Sequence, residues 1–184
     1  MRPKSFAGTR CSVAGALNLV GDRWTLLLIR DLSLGLSRFD ELCGEVGIPT
    51  ATLTARLKHM IDHGLVARVR YQDRPPRDEY RLTAKGRDLS KVILALREWG
   101  DRWDATGLGA PAIETIDDKT GHALSLALVD SETGRVVPSE CARLRALEGA
   151  DDDVRTLVDR FNASCRPMTA SPGPTASFGE ERSR

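Results

Sequence analysis

The chain has 184 residues, of which 41% are hydrophobic and 29% charged, and its formal net charge is +1 at pH 7. A chain of this size can bury one domain core and carry a smaller appendage. It has no run of about 18 apolar residues that could span a membrane, and polar residues interrupt its first apolar stretch, which argues against a signal peptide. We therefore expect a cytoplasmic protein without a membrane partner. The nucleophile-elbow, Walker, GxGxxG and HExxH motifs are absent, so we expect no enzymatic activity.

The first part of the chain contains three segments with apolar residues at helical spacing. Residues 11–20 and 22–32 are separated by Gly21, and residues 37–40 are typical of a capping box opening a short helix that ends at Val46. We expect three helices here, each with an apolar stripe.

The middle of the chain has the pattern of a helix followed by a β-hairpin. The helix is predicted over residues 49–63, and Gly64 can take the left-handed conformation that ends it. Strands are predicted at 65–71 and 79–82, joined by residues 72–77, which contain two prolines that do not continue a ladder. This order predicts an α+β, mostly helical winged helix-turn-helix fold with the hairpin as its wing.

Positive charge is concentrated in this predicted helix and wing. Residues 49–87 hold nine Lys and Arg against four Asp and Glu, a surplus of five in a chain whose total is +1. Such a surface favours double-stranded DNA as the partner. Small or basic residues on the outer face of the helix would let it enter the major groove closely. They are Thr50, Ala51, Thr54, Arg56 and Lys58. The alternatives are a merely solvated helix face and a winged helix that binds another protein without DNA, and the basic wing counts against both.

The segment after the wing carries apolar residues at spacings of 3, 4, 3 and 4, which is the pattern of a helix that packs against a second helix. These residues are Leu89, Val92, Leu96, Trp99 and Trp103. They predict one long C-terminal dimerisation helix of roughly 20 residues, about 30 Å in length. We expect a homodimer that presents two copies of the helix predicted over residues 49–63 about 34 Å apart, the spacing of successive major grooves. The alternative is that the stripe packs only on its own domain.

The rest of the chain differs in composition. Residues 1–106 carry a net charge of +5 and residues 107–184 a net charge of −4, so only the first part suits a polyanion. We expect a DNA-binding and dimerisation domain at 1–106, a small α/β appendage at 107–169, and a disordered tail at 170–184. The elements expected in the appendage are strands at 113–117, 122–129 and 135–137 and helices at 139–147 and 152–162.

The cysteines and histidines indicate neither a cofactor nor a metal site. The four cysteines lack paired spacing, which argues against a zinc finger and a secreted disulfide framework. His59 and His63 stand four residues apart on one predicted helix, but two ligands do not make a site. Cys11 is the strongest chemical candidate, because it lies beside Arg10 at a helix start, where the helix dipole and a cation stabilise a negative charge. The alternative for Cys11 is a half-buried packing residue.

These segments together resemble the HxlR family of bacterial winged-helix transcription regulators, over about residues 8–105. The matching stretches are CSV at 11–13, GDRWTLLL at 21–28, RFDEL at 38–42, LTARL at 53–57, GLV at 64–66, PPRDEYRLT at 75–83 and WG at 99–100. No single motif is decisive, but the ordered set is specific.

The resemblance implies a homodimer that binds an inverted-repeat operator and represses or activates nearby genes, with repression the expected mode. Thr54 and Arg56 then fall at recognition-helix positions, and Arg38 falls at a phosphate contact. Arg74 and Arg77 fall on the wing. In some relatives a cysteine at the position of Cys11 senses electrophiles or oxidants, so the resemblance implies an electrophile as effector. The alternative effector is a small molecule bound by the appendage.

Overall fold

The computed structural model describes residues 10–165, in which four helices precede an antiparallel hairpin and two helices follow it directly. The helices before the hairpin are α1 (Ser12–Val20), α2 (Arg23–Ser33), α3 (Phe39–Val46) and α4 (Thr50–Asp62). The hairpin is formed by β1 (Val66–Asp73) and β2 (Pro76–Leu82), and it leads into α5 (Ala84–Asp88) and α6 (Ser90–Arg102). This order confirms the predicted winged helix-turn-helix, with α3 and α4 as the helix-turn-helix and the hairpin as the wing. No helix within residues 10–165 is both long and apolar enough to cross a membrane.

The core lies where α2, α3 and α4 meet the base of the wing. Its buried residues are Val20, Leu28, Ile29, Leu42, Ile48, Leu53, Leu57, Met60, Leu65 and Val66. In α4 the buried residues recur every three or four positions, so one face of this helix enters the core and the opposite face is left to solvent. The first helix contributes little to this core, because only Val20 of α1 is buried and Leu17 is 49% exposed.

Two glycines in the left-handed conformation bound the second helix of the motif. Gly47, with φ of 63°, forms the turn between α3 and α4, and Gly64, with φ of 67°, follows α4. Residues with a Cβ rarely adopt this conformation, which explains glycine at both positions. Thr83 then caps α5, because its hydroxyl accepts from the Gly86 N–H at 3.1 Å. The same hydroxyl donates to the Gly64 carbonyl at 2.6 Å and so ties the end of the wing to the end of α4.

The strands of the wing are longer than predicted. They pair from Val66 with Leu82 to Asp73 with Pro76, and Tyr71 is the extra residue at an irregularity between Arg70 and Gln72. The expectation that both prolines lie outside the ladder was wrong for Pro76, which is the first residue of β2. Proline is compatible with a strand at that position because it lacks only the N–H donor.

The long helix predicted after the wing is divided at Leu89 into α5 and α6, and α6 has 13 residues, or about 20 Å. The cause is a tertiary contact. A Cβ on Gly86 would lie 2.1 Å from the Leu65 carbonyl oxygen, so α5 packs directly on the wing base. Arg87 Nη1 also donates to the Leu82 carbonyl at 2.8 Å. The chain turns at Leu89, whose N–H donates to the Gly86 carbonyl at 3.2 Å, and continues as α6.

The chain divides into two compact units at Leu126 and Ala127, rather than at the predicted linker after residue 106. The difference arises because residues 115–124 form a hairpin that belongs with the first unit. Within that hairpin the Leu124 N–H donates to the Thr115 carbonyl at 2.8 Å. Arg97 of α6 hydrogen-bonds the Thr115 hydroxyl, and the Leu126 N–H donates to Glu98 Oε1 at 2.7 Å.

The second unit contains less regular structure than the sequence predicts. Its strands are β3 (Leu128–Val129) and β4 (Val136–Val137), and its helix is α7 (Asp152–Ser164). The helix predicted at 139–147 was wrong, since only a 3-10 turn at Ser139–Cys141 forms. The backbone of Leu144 instead exchanges two hydrogen bonds with the Asn162 side chain, at 3.0 and 2.9 Å. The predicted tail at 170–184 lies outside the described residues.

Candidate nucleic-acid interface

The outer face of α4 is a row of small or basic side chains. Thr50, Ala51, Thr54 and Lys58 are all exposed. The Thr54 hydroxyl donates to the Thr50 carbonyl at 2.9 Å and can still accept a hydrogen bond. Lys58 Nζ lies 3.4 Å from Asp62, but the Lys58 side chain is 76% exposed. An exposed ion pair of this kind contributes little, so Lys58 can exchange the carboxylate for another anion at small cost.

Arg56 does not belong to this row. It follows the buried Leu53 by three residues and precedes the buried Met60 by four, so it lies at the border of the buried face of α4. Its Nη1 donates to Asp22 Oδ2 at 3.1 Å, and its side chain is only 34% exposed. Its Nε is buried without a hydrogen-bond partner among residues 10–165. The guanidinium is thus engaged within the fold, which differs from the expected contact with base edges.

Asp22 joins the start of α2 to α4. Its carboxylate caps α2 by accepting from the N–H groups of Trp24 and Thr25, both at 3.1 Å, and it also accepts from the Thr25 hydroxyl and from Arg56. Partial burial acts to raise the pKa of Asp22, but the hydrogen bonds from Thr25 and the charge of Arg56 outweigh it, so the pKa lies below its ordinary value. Asp22 therefore carries a negative charge at neutral pH. Neither Asp22 nor its pairing was anticipated, although the spacing of Arg56 from Leu53 and Met60 was a usable signal.

Arg38 connects α3 to the wing. Its guanidinium lies 5.1 Å from the centre of the Tyr71 ring, in a cation–π contact. Its N–H and that of Ser37 donate to Glu41 Oε2 at 2.9 and 3.0 Å, and these bonds, the Ser37 bond foremost, lower the pKa of Glu41. The capping box was predicted, but its first residue is Arg38, whose side chain makes no cap hydrogen bond. Arg38, Tyr71 and Arg77 line one shallow depression of about 330 Å³.

The arginines of the wing fall into two groups. Arg68 and Arg70 both donate to Asp78, and the hydrogen bond from Arg68 above all lowers the pKa of this carboxyl group. The Glu79 carboxylate likewise pairs with another arginine of β2. Arg74 and Arg77 are exposed and have no acidic partner within residues 10–165. Part of the surplus of charge counted from the sequence therefore lies at the tip and outer edge of the wing.

The apolar stripe predicted for dimerisation is largely uncovered. Val92 is 42% exposed, Leu96 49%, Trp99 61% and Trp103 58%, whereas Leu89 packs against the core. The first helix also carries exposed apolar side chains, since its Val13 is 68% and its Leu17 is 49% exposed. The sequence does not reveal this exposure, because helical spacing alone does not distinguish a core face from an interface.

The cysteines and histidines have ordinary surroundings. All four cysteines are free, and Cys11 is exposed at the residue before α1, where it makes no side-chain cap bond. Cys43 is half-buried, with its sulfur 3.4 Å from the Ile48 carbonyl. His59 Nε2 lies 3.0 Å from the Leu19 carbonyl and His63 Nδ1 lies 2.8 Å from the His59 carbonyl, so each ring bonds to backbone. No cluster of three potential metal ligands occurs in the described part of the chain.

The helix-turn-helix, the wing and the exposed cations beside them define a winged helix-turn-helix protein. Residues 19–107 match the model of the HxlR-like helix-turn-helix family. A Synechocystis relative, the HTH-type transcriptional regulator sll1512, is 36% identical over 97 residues, which are 52% of this chain and 72% of the relative. The chain belongs to the HxlR-like helix-turn-helix family.

Other comparisons agree on the fold. The HTH-type transcriptional regulator Rv3095 of Mycobacterium tuberculosis is 47% identical over 100 residues, which are 54% of this chain but only 63% of that protein. The crystal structure of PA1607, described as a candidate transcription factor, matches with a TM-score of 0.64 and 30% identity over 77% of this chain and 99% of its own. The structure of PA1374 from Pseudomonas aeruginosa matches with a TM-score of 0.56 and 33% identity, over 80% of this chain and 99% of its own.

Proposed function

We propose that the chain is a transcription regulator that binds double-stranded DNA as a homodimer on an inverted repeat, with α4 in the major groove. The observation that carries the proposal is the exposed row on α4 next to a wing whose outermost arginines have no acidic partner among residues 10–165. Phosphate contacts of this kind supply most of the affinity of a protein for DNA, and base-edge contacts supply specificity. The relatives are named as transcriptional regulators, which supports the same function.

The residues of the interface would make two kinds of contact, with base edges and with phosphates. Thr50, Ala51 and Thr54 are small enough to let α4 approach the base edges, and their hydroxyl and methyl groups suit hydrogen bonds and thymine methyl contacts. Lys58 would reach a phosphate or a guanine. Arg74, at the wing tip, would reach the phosphate backbone. Arg38 and Arg77, which line one depression together with Asp40 and Asp78, would do so from that depression.

Arg56 takes a different role in this proposal from the one that the sequence suggests. Because its guanidinium pairs with Asp22, Arg56 acts as a positioning residue that holds α4 against the start of α2. A side chain that must break an ion pair before it reaches a base is a poor reader of sequence. Arg56 would therefore influence affinity through the orientation of α4.

A second copy of the chain is the proposed occupant of the uncovered apolar surface. Val92, Leu96 and Trp99 recur on one side of α6, and all three are more than 40% exposed. A patch of several large apolar side chains is unusual for a monomer and typical of an interface. Two-fold symmetry about this surface would present two copies of α4 to an inverted repeat.

We also propose that the chain is a repressor and that modification of the Cys11 thiol controls its binding to DNA. Cys11 is exposed and directly precedes α1, which also carries the exposed Val13 and Leu17. We propose that α1 contributes to the dimer surface, so that an adduct on Cys11 would lie beside that surface. Such an adduct would alter the spacing of the two recognition helices, and repression would be relieved when DNA is released.

The experiment is selection of DNA fragments by the purified protein, followed by gel-shift titration of the selected duplex at two salt concentrations. Binding should weaken steeply with salt, and Arg77→Ala should weaken all duplexes alike. Arg102→Ala, which removes an exposed arginine from the end of α6, is the matched control and should leave binding unchanged. If no duplex is selected, or if binding is insensitive to salt and to Arg77→Ala, the alternative of a protein-binding winged helix is favoured.

A further inference from the structure

A cavity of about 530 Å³, open to solvent on one side, lies between the end of α2, the strand β2 and the start of α6. Its apolar wall is formed by Leu32, Leu36 and Leu82, and Ser90 adds a hydroxyl at the start of α6. This volume falls within the range of small-molecule binding sites, which are mostly apolar with a few polar groups that orient the ligand. None of these residues belongs to the proposed DNA or dimer surfaces, so the cavity has no role in the function described so far.

The charges at the cavity leave one cation available. Arg81 and Glu79 both line it, but they pair with each other at 2.5 Å. Arg87 also lines it and has no acidic partner within residues 10–165. One of its five N–H groups donates to the Leu82 carbonyl, which fixes the side chain and leaves the others for a ligand.

We propose that this cavity binds a small carboxylic acid with an apolar body. Arg87 would receive the carboxylate, because a guanidinium presents parallel donors that match a planar anion. The apolar body would lie against Leu32, Leu36 and Leu82. These side chains would not stabilise a strongly hydrated phosphate. The ligand is thus an amphipathic monoanion, and benzoate is a simple probe of this class.

The position of the cavity gives such a ligand a route to regulation. Its walls come from β2 of the wing, from α5 and from the start of α6, and these elements connect the proposed DNA surface to the proposed dimer surface. A ligand held by Arg87 of α5 and by Leu82 of β2 would favour one relative position of the wing and α6. This regulatory role rests on the proposed function, whereas binding of the acid does not.

The test is calorimetric titration of the full chain, without DNA, with benzoate and with benzyl alcohol as a neutral probe of similar shape. Benzoate should bind saturably, and benzyl alcohol at least about tenfold more weakly, because it lacks the charge that Arg87 receives. Arg87→Gln should weaken benzoate by a similar factor. Lys91→Gln, which removes an exposed cation next to Ser90 that does not line the cavity, should leave binding within about twofold.

A second variant guards against a folding defect in the first. Leu36→Trp should fill the cavity without changing its charge and should abolish benzoate binding while the far-ultraviolet circular dichroism stays that of the wild type. The proposal is overturned if the wild type shows no saturable benzoate binding, if Arg87→Gln or Leu36→Trp binds as well as the wild type when folded, or if benzyl alcohol binds equally. Because DNA is absent, these outcomes are independent of whether the chain binds an operator.

Discussion

The contact between Asp22 and Arg56 makes a prediction about both stability and pH. Asp22→Ala removes the cap of α2, in which the carboxylate accepts hydrogen bonds from two backbone N–H groups. It also leaves the half-buried Arg56 without its partner. Loss of an Asp cap costs about 1 kcal/mol of the free energy of unfolding. Loss of the partly exposed ion pair adds on the order of 1 kcal/mol after allowance for solvent screening. The sum is about 2 kcal/mol, or a fall in Tm of roughly 4–8 °C for a chain of this size.

Asp22→Asn separates the two contributions. Asparagine caps a helix as well as aspartate does, so this variant should lose only the charge-dependent part, on the order of 1 kcal/mol. Because the pKa of Asp22 is lowered in the folded chain, its charge-dependent stabilisation is complete above the unfolded pKa of about 4 and is lost as the pH falls through the lower folded pKa. The difference in Tm between wild type and Asp22→Asn should thus be constant from pH 5 to 7 and should shrink below about pH 4.

Thermal unfolding followed by circular dichroism at several pH values measures both effects, and gel shift on the selected duplex measures the consequence for α4. DNA affinity should fall in Asp22→Asn by a factor that does not depend on the base sequence, because Arg56 is expected to position α4 rather than to read bases. An Asp22→Ala variant as stable as the wild type would refute the reasoning. So would a change of sequence preference in Asp22→Asn.

Three further outcomes are expected. Arg77→Ala should reduce the slope of log affinity against log salt by about 1 for each protomer, whereas Lys58→Ala should also change the preferred sequence if Lys58 touches a base. Leu96→Ala should weaken self-association by on the order of 2 kcal/mol or more in sedimentation at micromolar concentration, and a monomeric wild type would remove the inverted-repeat model. A quinone should lower operator affinity in the wild type but not in Cys11→Ser. Equal responses of the two proteins, or none, would return Cys11 to a packing residue.

The helices and the wing were predictable because their signals are local. The turn glycine Gly64, the alternation of β-forming residues in β1 and the helical spacing of Leu53, Leu57 and Met60 each act within a few residues. The same spacing also contained the information that Arg56 lies at the edge of the buried face. A count of charges by segment could not reveal this, since it ignores which face a residue occupies.

The predictions that were wrong share a different cause, which is contact between residues far apart in the chain. The break at Leu89 follows from the approach of Gly86 to the Leu65 carbonyl, and the missing helix at 139–147 follows from the bonds between Leu144 and Asn162. Neither contact leaves a periodic pattern in the sequence. Pairing of wing arginines with Asp78 is equally invisible before the register of β1 and β2 is known.

The surroundings of α6 explain why its remaining side is the natural place for a second copy. One side carries Leu89 just before the helix and Ile93 within it, and both pack against the core. Another side is occupied by the hairpin at 115–124, which is held through Arg97 and by a bond from Leu126 to Glu98. The stripe with Leu96 is therefore the side left open. A helix fixed on two sides transmits a shift on the third as a rigid body, so a change at the proposed dimer surface would shift α6 as a unit rather than bend it.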